Sequence, residues 1–328
     1  MAKGGYVIVT TVAISTKKKR PKKTGFIGEL IKNRYLYLLA LPGLAFFFLF
    51  NYLPMAGLYI AFLDYNPIAG FFGFASEFVG LDNFKFFFTS NDWLFVTFNT
   101  LFLNALFIAT GIVVQILMAV GLNELGSKPF KKLAQTFMYL PNFLSWTVVS
   151  IFSIAIFSTD GGLVNNLLKT FGIAPVSFYQ DASVWPALLV ALRLWKGAGF
   201  GTVIYLSTIA GIDQQIYEAA VIDGATRLQS IIRITLPMLR KTTVMLLILS
   251  IGGIFYGDFG MIYALIGDNP LLRSTTDVID TFVYRALRLN NDYGMSSAVG
   301  LFQSVVGFVM VMSANAVAKR LDRETALF

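Results

Sequence analysis

The 328-residue sequence predicts an all-α, polytopic membrane protein with about six transmembrane helices. Apolar residues make up 56% of the chain and charged residues only 13%, a balance foreign to a water-soluble domain of this size. Several apolar runs reach the roughly 20 residues that a helix needs to cross a hydrocarbon core of about 30 Å. The runs are continuous, without the alternation of short barrel strands, and a helix satisfies its own backbone hydrogen bonds in lipid. Cysteine and histidine are both absent. That excludes disulfides, thiolate nucleophiles, Ser-His-Asp triads and the usual zinc and haem sites, so no enzyme chemistry is predicted.

Taken in order, residues 1–33 form a basic tail, and Lys17, Lys18, Lys19, Arg20, Lys22, Lys23, Lys32 and Arg34 precede the first long apolar run. Such a cluster beside a span holds the tail in the cytoplasm and can touch anionic membrane lipid. A nucleic-acid-binding tail is the alternative; the topological reading is preferred, and no nucleic-acid partner is predicted. The first long run has no small-residue cleavage pattern, so no cleaved signal peptide is predicted.

The first span covers about residues 35–62, with Pro42 and Pro54 as kink points. Loop 64–92 follows, rich in glycine and phenylalanine. Its Phe71, Phe72, Phe74, Phe78, Phe84, Phe86, Phe87 and Phe88 predict that part of it folds back on the membrane or on other loops. The second span (94–122) and the third (133–157) flank a short turn with Lys128, Lys131 and Lys132. In the connection 158–183, residues 162–168 predict a short surface helix. The fourth span (185–210) carries Arg193 and Lys196; the fifth (243–266) and sixth (296–317) complete a transmembrane domain over 34–318, ahead of a short tail, 319–328. Basic residues concentrate in the N-terminal tail, 128–132, 211–241 and 319–323, whereas the intervening loops hold most of the acidic ones. The positive-inside rule then places both termini in the cytoplasm, in agreement with an even number of spans.

The segment 211–241 is too patterned for a connector. Asp213 is placed to cap a helix containing Gln215, Ile216, Tyr217 and Glu218, and Gly224 is a natural stop in the left-handed conformation. A second short helix starts near Thr226 and is expected to end before Pro237, whose ring favours extended geometry at Leu236. Two short helices meeting at a glycine make a compact knob.

Glu218-Ala219-Ala220, the following Asp223-Gly224-Ala225 and the later Ile234-Thr235-Leu236-Pro237 resemble the coupling motif of bacterial ATP-binding-cassette importer permeases. Gly80-Leu81-Asp82-Asn83-Phe84, Asn99-Thr100 and Tyr139-Leu140-Pro141 resemble the carbohydrate, maltose-importer-like branch. Leu194-Trp195-Lys196-Gly197, Asp277-Val278-Ile279-Asp280-Thr281 and Ala298-Val299-Gly300-Leu301-Phe302-Gln303-Ser304 resemble its subgroup handling complex oligosaccharides with lipoprotein-type binding proteins. The resemblance implies a maltose-permease-like importer fold in a bacterial plasma (inner) membrane, with this chain as one half of a heterodimer. Its implied partners are a second homologous permease, two copies of an ATP-binding subunit, and an extracellular or periplasmic solute-binding protein landing on loops 64–92, 158–183 and 267–292. It also implies that Tyr217, Glu218, Ala219, Ala220, Asp223, Gly224, Ala225, Leu236 and Pro237 couple to a groove on the ATPase. The chain has no Gly-x-x-x-x-Gly-Lys-Ser/Thr loop, so no cofactor is expected in it, and ATP and Mg are expected in the ATPase subunit.

Charges inside a bilayer are costly and mark candidate sites, which singles out Arg193, Lys196 and Asp258 on the substrate path. Arg193 and Lys196, three apart on a helix, share a face. They either contact a sugar or uronate in passage, or line an aqueous cavity and pair with Asp258. Trp195, Tyr256 and Tyr263 are candidates for stacking on sugar rings, with packing as the plainer alternative. The competing function is an ion-coupled secondary transporter, for which Asp258 is thin support and no inverted repeat is visible.

Overall fold

The computed structural model describes residues 32–69, 76–89 and 92–321; the basic tail before residue 32, Phe71, Phe72, Phe74 and the tail after residue 321 lie outside the described residues. The chain divides after Ala56 into two compact units. In the first, helix α1 (Arg34–Phe47) has no buried residue, and Leu39 is 81% exposed. A π-helical turn, Phe48–Tyr52, precedes Leu53-Pro54. The Leu53 amide donates to the Phe48 carbonyl five residues back, and the widened turn relieves the clash that a proline ring makes with the carbonyl four residues earlier. Residues 34–62 together are long and apolar enough to cross a membrane.

In the second unit, two short strands, β1 (Leu63–Asp64) and β2 (Glu77–Phe78), pair antiparallel with Leu63 opposite Phe78. Helix α2 (Asp82–Thr89) follows. Asn83 ties it down by donating from Nδ2 to the carbonyls of Ala61 and Leu63 at 3.0 and 2.9 Å. Its Phe87 is buried, with Phe282 and Phe302 at ring distances of 6.0 and 6.3 Å. Phe87 thus packs back on the protein, as expected for part of this loop, whereas Phe78 is exposed.

Two long helices, α3 (Trp93–Glu124) and α7 (Trp185–Ala210), pack along each other and organise the rest. Between them in sequence lie α4 (Lys128–Tyr139), α5 (Trp146–Phe157) and the surface helix α6 (Leu163–Thr170). The buried Asn165 of α6 donates to the carbonyls of Ser158 and Val176 and accepts from the Val176 amide, which fixes the connection around it. Small residues let α7 approach its neighbours: a Cβ on Gly199 would lie 2.1 Å from the Met138 carbonyl oxygen. The core around Leu103, Phe107, Val149, Trp185, Leu189 and Met261 is closed by an indole donation from Trp185 Nε1 to the Phe178 carbonyl at 2.7 Å.

After α7 come α8 (Gln214–Ile222), α9 (Arg227–Ser230), α10 (Arg240–Gly252), α11 (Phe259–Ile266), α12 (Ile279–Asn290) and α13 (Tyr293–Leu321). Among the described residues, four helical stretches, 34–62, 93–124, 182–210 and 293–320, are long and apolar enough to cross a membrane without a sharp bend.

The third and fifth predicted spans are not single helices. The third is divided into Lys128–Phe143 and Trp146–Phe157, which meet at 99°. Pro141 removes a backbone donor there, Leu144 and Ser145 are extended, and Ser145 starts α5 afresh by accepting from the Val148 amide. In the fifth, α10 stops at Gly252-Gly253, and α11 begins only after Asp258, whose side chain caps it through the Met261 amide at 3.1 Å. Six residues of irregular backbone, 253–258, therefore lie where a continuous helix was expected.

Candidate functional site

The first candidate site is the knob between α7 and α10. Asp213 caps α8 by accepting from the Gln215 amide at 3.0 Å. At the other end Gly224 takes φ +79°; its amide reaches the Val221 carbonyl, and the Ala225 amide reaches back to Ala220. This double closure is a Schellman motif, with the glycine at its left-handed position. Thr226 then opens α9 with a reciprocal capping box to Gln229. The two arms are fastened by a hydrogen bond between the Tyr217 hydroxyl and Oγ1 of the buried Thr235, 2.8 Å apart.

One expectation for the knob fails. Leu236 is helical rather than extended, and Pro237 lies inside a helical turn, Leu236–Met238. The cause matches that at Pro54: a π-helical turn, Ile231–Thr235, precedes it, with the Leu236 amide donating to the Ile231 carbonyl. The chain bends by 49° only afterwards, between Met238 and Arg240.

The knob leaves apolar side chains uncovered, Val221, Ile222, Leu228 and Ile232 among them, with Ile222 86% exposed. Glu218, Ala219, Asp223 and Gly224 are exposed beside them, whereas Tyr217, Ala220 and Ala225 are half-buried. Glu218 makes no ion pair among the described residues.

The second candidate site is a cavity of about 690 Å³ bordered by α3, α5, α7, α10 and the irregular segment 253–258. Arg193, Lys196, Tyr256 and Asp258 all line it. Arg193 Nη1 lies 2.8 Å from Asp258 Oδ2, and its guanidinium covers the Phe107 ring at 4.6 Å. Asp258 thus holds Arg193 with one oxygen and caps α11 with the other. Lys196 Nζ donates to the Asn142 carbonyl at 3.1 Å and sits 5.2 Å from the centre of the Trp146 ring. The Tyr256 hydroxyl is 2.8 Å from Ser304 Oγ.

Two of the aromatic candidates lie elsewhere. Trp195 is half exposed and does not line the cavity, because on a helix it points roughly 200° away from Arg193 while Lys196 returns to the same face. Tyr263 is on α11 in a cluster with Phe259 and Tyr284. The cavity is also lined by residues not expected from the sequence, the polar Asn104, Gln115 and Asn142 and the indole ring of Trp146. Asn104 is visible as an amide flanked by apolar residues 101–103 and 105–109. Its Nδ2 donates to the carbonyls of Ile254 and Tyr256, both at 2.9 Å.

Two of the remaining motif residues reach the same irregular segment. Gln303 Nε2 donates to the Phe255 carbonyl at 2.7 Å, and Asp280 Oδ2 accepts from the Gly257 amide at 2.6 Å and from Gln303 at 3.2 Å. Burial holds the Asp280 carboxyl, on α12 outside the spans, above the ordinary carboxylate range. Asp277 is anchored by Arg285 through a bidentate pair and by the Thr281 hydroxyl, while Thr100 accepts from the Ile279 amide. Backbone groups freed by the helix break are thereby satisfied by side chains from α3, α12 and α13.

Comparison with known proteins agrees with this architecture. Protein LplB of Bacillus subtilis is 40% identical over 303 residues, covering 92% of this chain and 94% of its own. The polygalacturonan/rhamnogalacturonan transport system permease protein YteP of the same organism is 40% identical over 306 residues, covering 93% and 94%. A solved bacterial ABC transporter involved in import of the acidic polysaccharide alginate contains a chain that superimposes with a TM-score of 0.82 at 34% identity, over 90% of this chain and 98% of that one. Residues 111–323 match the family model for binding-protein-dependent transport system inner membrane components, and the chain belongs to that family.

Proposed function

We propose that the chain forms one half of the translocation path of an ATP-driven oligosaccharide importer and takes its power stroke through the knob at 211–241. The relatives named for polygalacturonan, rhamnogalacturonan and alginate transport support the substrate class. A related importer solved with an alginate pentasaccharide-bound periplasmic protein supports the binding-protein partner. In this reading a second homologous permease completes the path, and two copies of an ATP-binding subunit hold ATP and Mg and perform the hydrolysis.

The observation that carries the coupling role is the construction of the knob. Caps, a left-handed glycine and the Tyr217–Thr235 hydrogen bond make it stiff, yet its apolar residues and the Glu218 carboxylate remain uncovered. A rigid element with exposed apolar side chains suits transmission of motion from a docked partner. Ala219 and Ala220 permit close approach, Glu218 offers a carboxylate to a partner cation, and Leu236-Pro237 continue the second arm toward α10. The knob and both termini are assigned to the cytoplasmic side, supported by the distribution of Lys and Arg. Ion coupling is the weaker reading, because Asp258, the carboxylate it needs, is already engaged by Arg193 and the Met261 amide.

The test is substrate-stimulated ATP hydrolysis by the reconstituted complex, comparing wild type with Glu218→Lys after assembly has been verified. Loss of stimulation with assembly intact supports the knob as transmission element. Uptake that persists without any ATPase subunit would refute the importer reading.

A further inference from the structure

The cavity holds three charged groups, and they do not cancel. Arg193 and Asp258 neutralise each other at 2.8 Å. Lys196 has no such partner: its contacts are the Asn142 carbonyl and the Trp146 ring, and among the described residues no carboxylate lies within ion-pair distance of Nζ. The other polar groups around it, including Asn104, Gln115 and Ser250, are neutral. The cavity therefore carries a net charge of +1.

The position of that charge matters. Lys196 is 11 residues past Trp185 and 14 before Ala210, close to the middle of the 26-residue α7. At about 1.5 Å per residue it lies roughly 16 Å from the start of the helix, half the thickness of a ~30 Å hydrocarbon core. An uncompensated ammonium at that depth is expensive unless it faces a polar cavity, and such residues mark the substrate path. A carbonyl oxygen and a ring face orient the ammonium without neutralising it. They also leave N–H donors over, since the group has three. The cavity volume falls within the range of small-molecule sites.

We infer that Lys196 is a specificity-determining residue that favours saccharides bearing a carboxylate. The ammonium donates to the carboxylate of a passing uronate residue, and Trp146 beside it provides an apolar platform for the C–H face of the sugar ring. Arg193 does not share the role, because Asp258 already answers its charge. This rests on the importer reading above and adds the charge of the substrate to it.

The test uses the complete complex in proteoliposomes and measures ATP-dependent uptake of trigalacturonate against its fully methyl-esterified counterpart, which keeps the backbone and removes the charge. Every variant is assayed with the same binding protein, so a change in the acid-to-ester ratio between variants is due to this chain. Wild type should favour the acid. Lys196→Gln should lower the ratio about tenfold, the scale of a lost charge-assisted hydrogen bond, and Lys196→Arg should largely preserve it. Lys196→His provides a check within one protein: its ratio should rise as the pH falls through the imidazole range, while the wild-type ratio stays flat. Equal uptake of acid and ester by wild type, or an unchanged ratio in Lys196→Gln together with a pH-independent ratio in Lys196→His, overturns the inference and leaves the importer reading standing. If neither sugar accumulates when ATP is supplied, the oligosaccharide reading falls, and the inference with it.

Discussion

Gly224 offers a perturbation whose cost can be worked from geometry alone. Its φ of +79° is a conformation that L-residues adopt only with strain, yet a Cβ built on it meets nothing within 4 Å. Replacing it with alanine therefore creates no clash within the chain and leaves only the left-handed backbone penalty, about 1–2 kcal/mol. That corresponds to a 5–30-fold loss in the population holding the Schellman closure between Ala220 and Ala225. Asparagine tolerates the same conformation much better and adds a larger side chain. The prediction for substrate-stimulated ATP hydrolysis, at matched amounts of assembled complex, is the order wild type, then Gly224→Asn, then Gly224→Ala. If asparagine impairs coupling as much as or more than alanine, backbone strain is not the cause, and the size of the side chain against the partner is.

Four further outcomes follow from the packing. Asn104→Leu strands the Ile254 and Tyr256 carbonyls and should lower the stability of the purified complex by about 2–4 kcal/mol, read as a fall in its thermal midpoint. Asp258→Asn keeps an acceptor for the Met261 amide but leaves Arg193 without its counter-charge, and a loss of about 1–3 kcal/mol is expected in the same assay, largely relieved in the Arg193→Gln, Asp258→Asn double variant. Gly199→Ala drives a methyl into the Met138 carbonyl and should cost about 1–3 kcal/mol, whereas the same change at Gly197, where a Cβ meets nothing, should be nearly silent. Because burial raises the Asp280 pKa in the folded state, its ionised form is a cost that persists above that folded pKa. The cost is relieved as the pH falls through the folded value toward the unfolded one, so Asp280→Asn should gain stability relative to wild type near neutral pH and lose that advantage in acid. A difference between the two proteins that does not change with pH would contradict this.

Local chemistry was legible in the sequence where it acts over a few residues. Asp213, Gly224 and Thr226 begin, end and restart helices because capping and left-handed turns are set by neighbours three or four positions away. The four helical stretches long enough to cross a membrane among the described residues announce themselves by length and hydropathy. The division of the fifth predicted span does not, even though Gly252-Gly253 and Gly257 punctuate it. A break there is tolerable only because Asn104, Asp280 and Gln303 satisfy its backbone, and Asn104 is some 150 residues away in sequence. Pro237 misled for a similar reason: the compensating π-helical turn lies upstream and has no simple compositional mark. Of the cavity residues, Arg193, Lys196 and Asp258 stood out as charges in apolar runs. Helical period alone puts Trp195 on a different face from Arg193 and Lys196, while Trp146 and Asn142 reach the cavity only through the 99° bend that the sequence did not reveal.

The claim that the knob transmits motion from an ATPase is tested most directly by site-specific cross-linking. The chain has no cysteine, so Ala219→Cys introduces a unique thiol on the exposed surface of α8, and Ser183→Cys places one in the connection ahead of α7 as a control. With a short bifunctional reagent applied to the assembled complex, the account predicts a covalent adduct between Ala219→Cys and the ATP-binding subunit, with a yield that changes on adding ATP, and none from Ser183→Cys. An adduct from position 183 but not from 219, or no adduct from 219 in a complex that still couples hydrolysis to uptake, would contradict it.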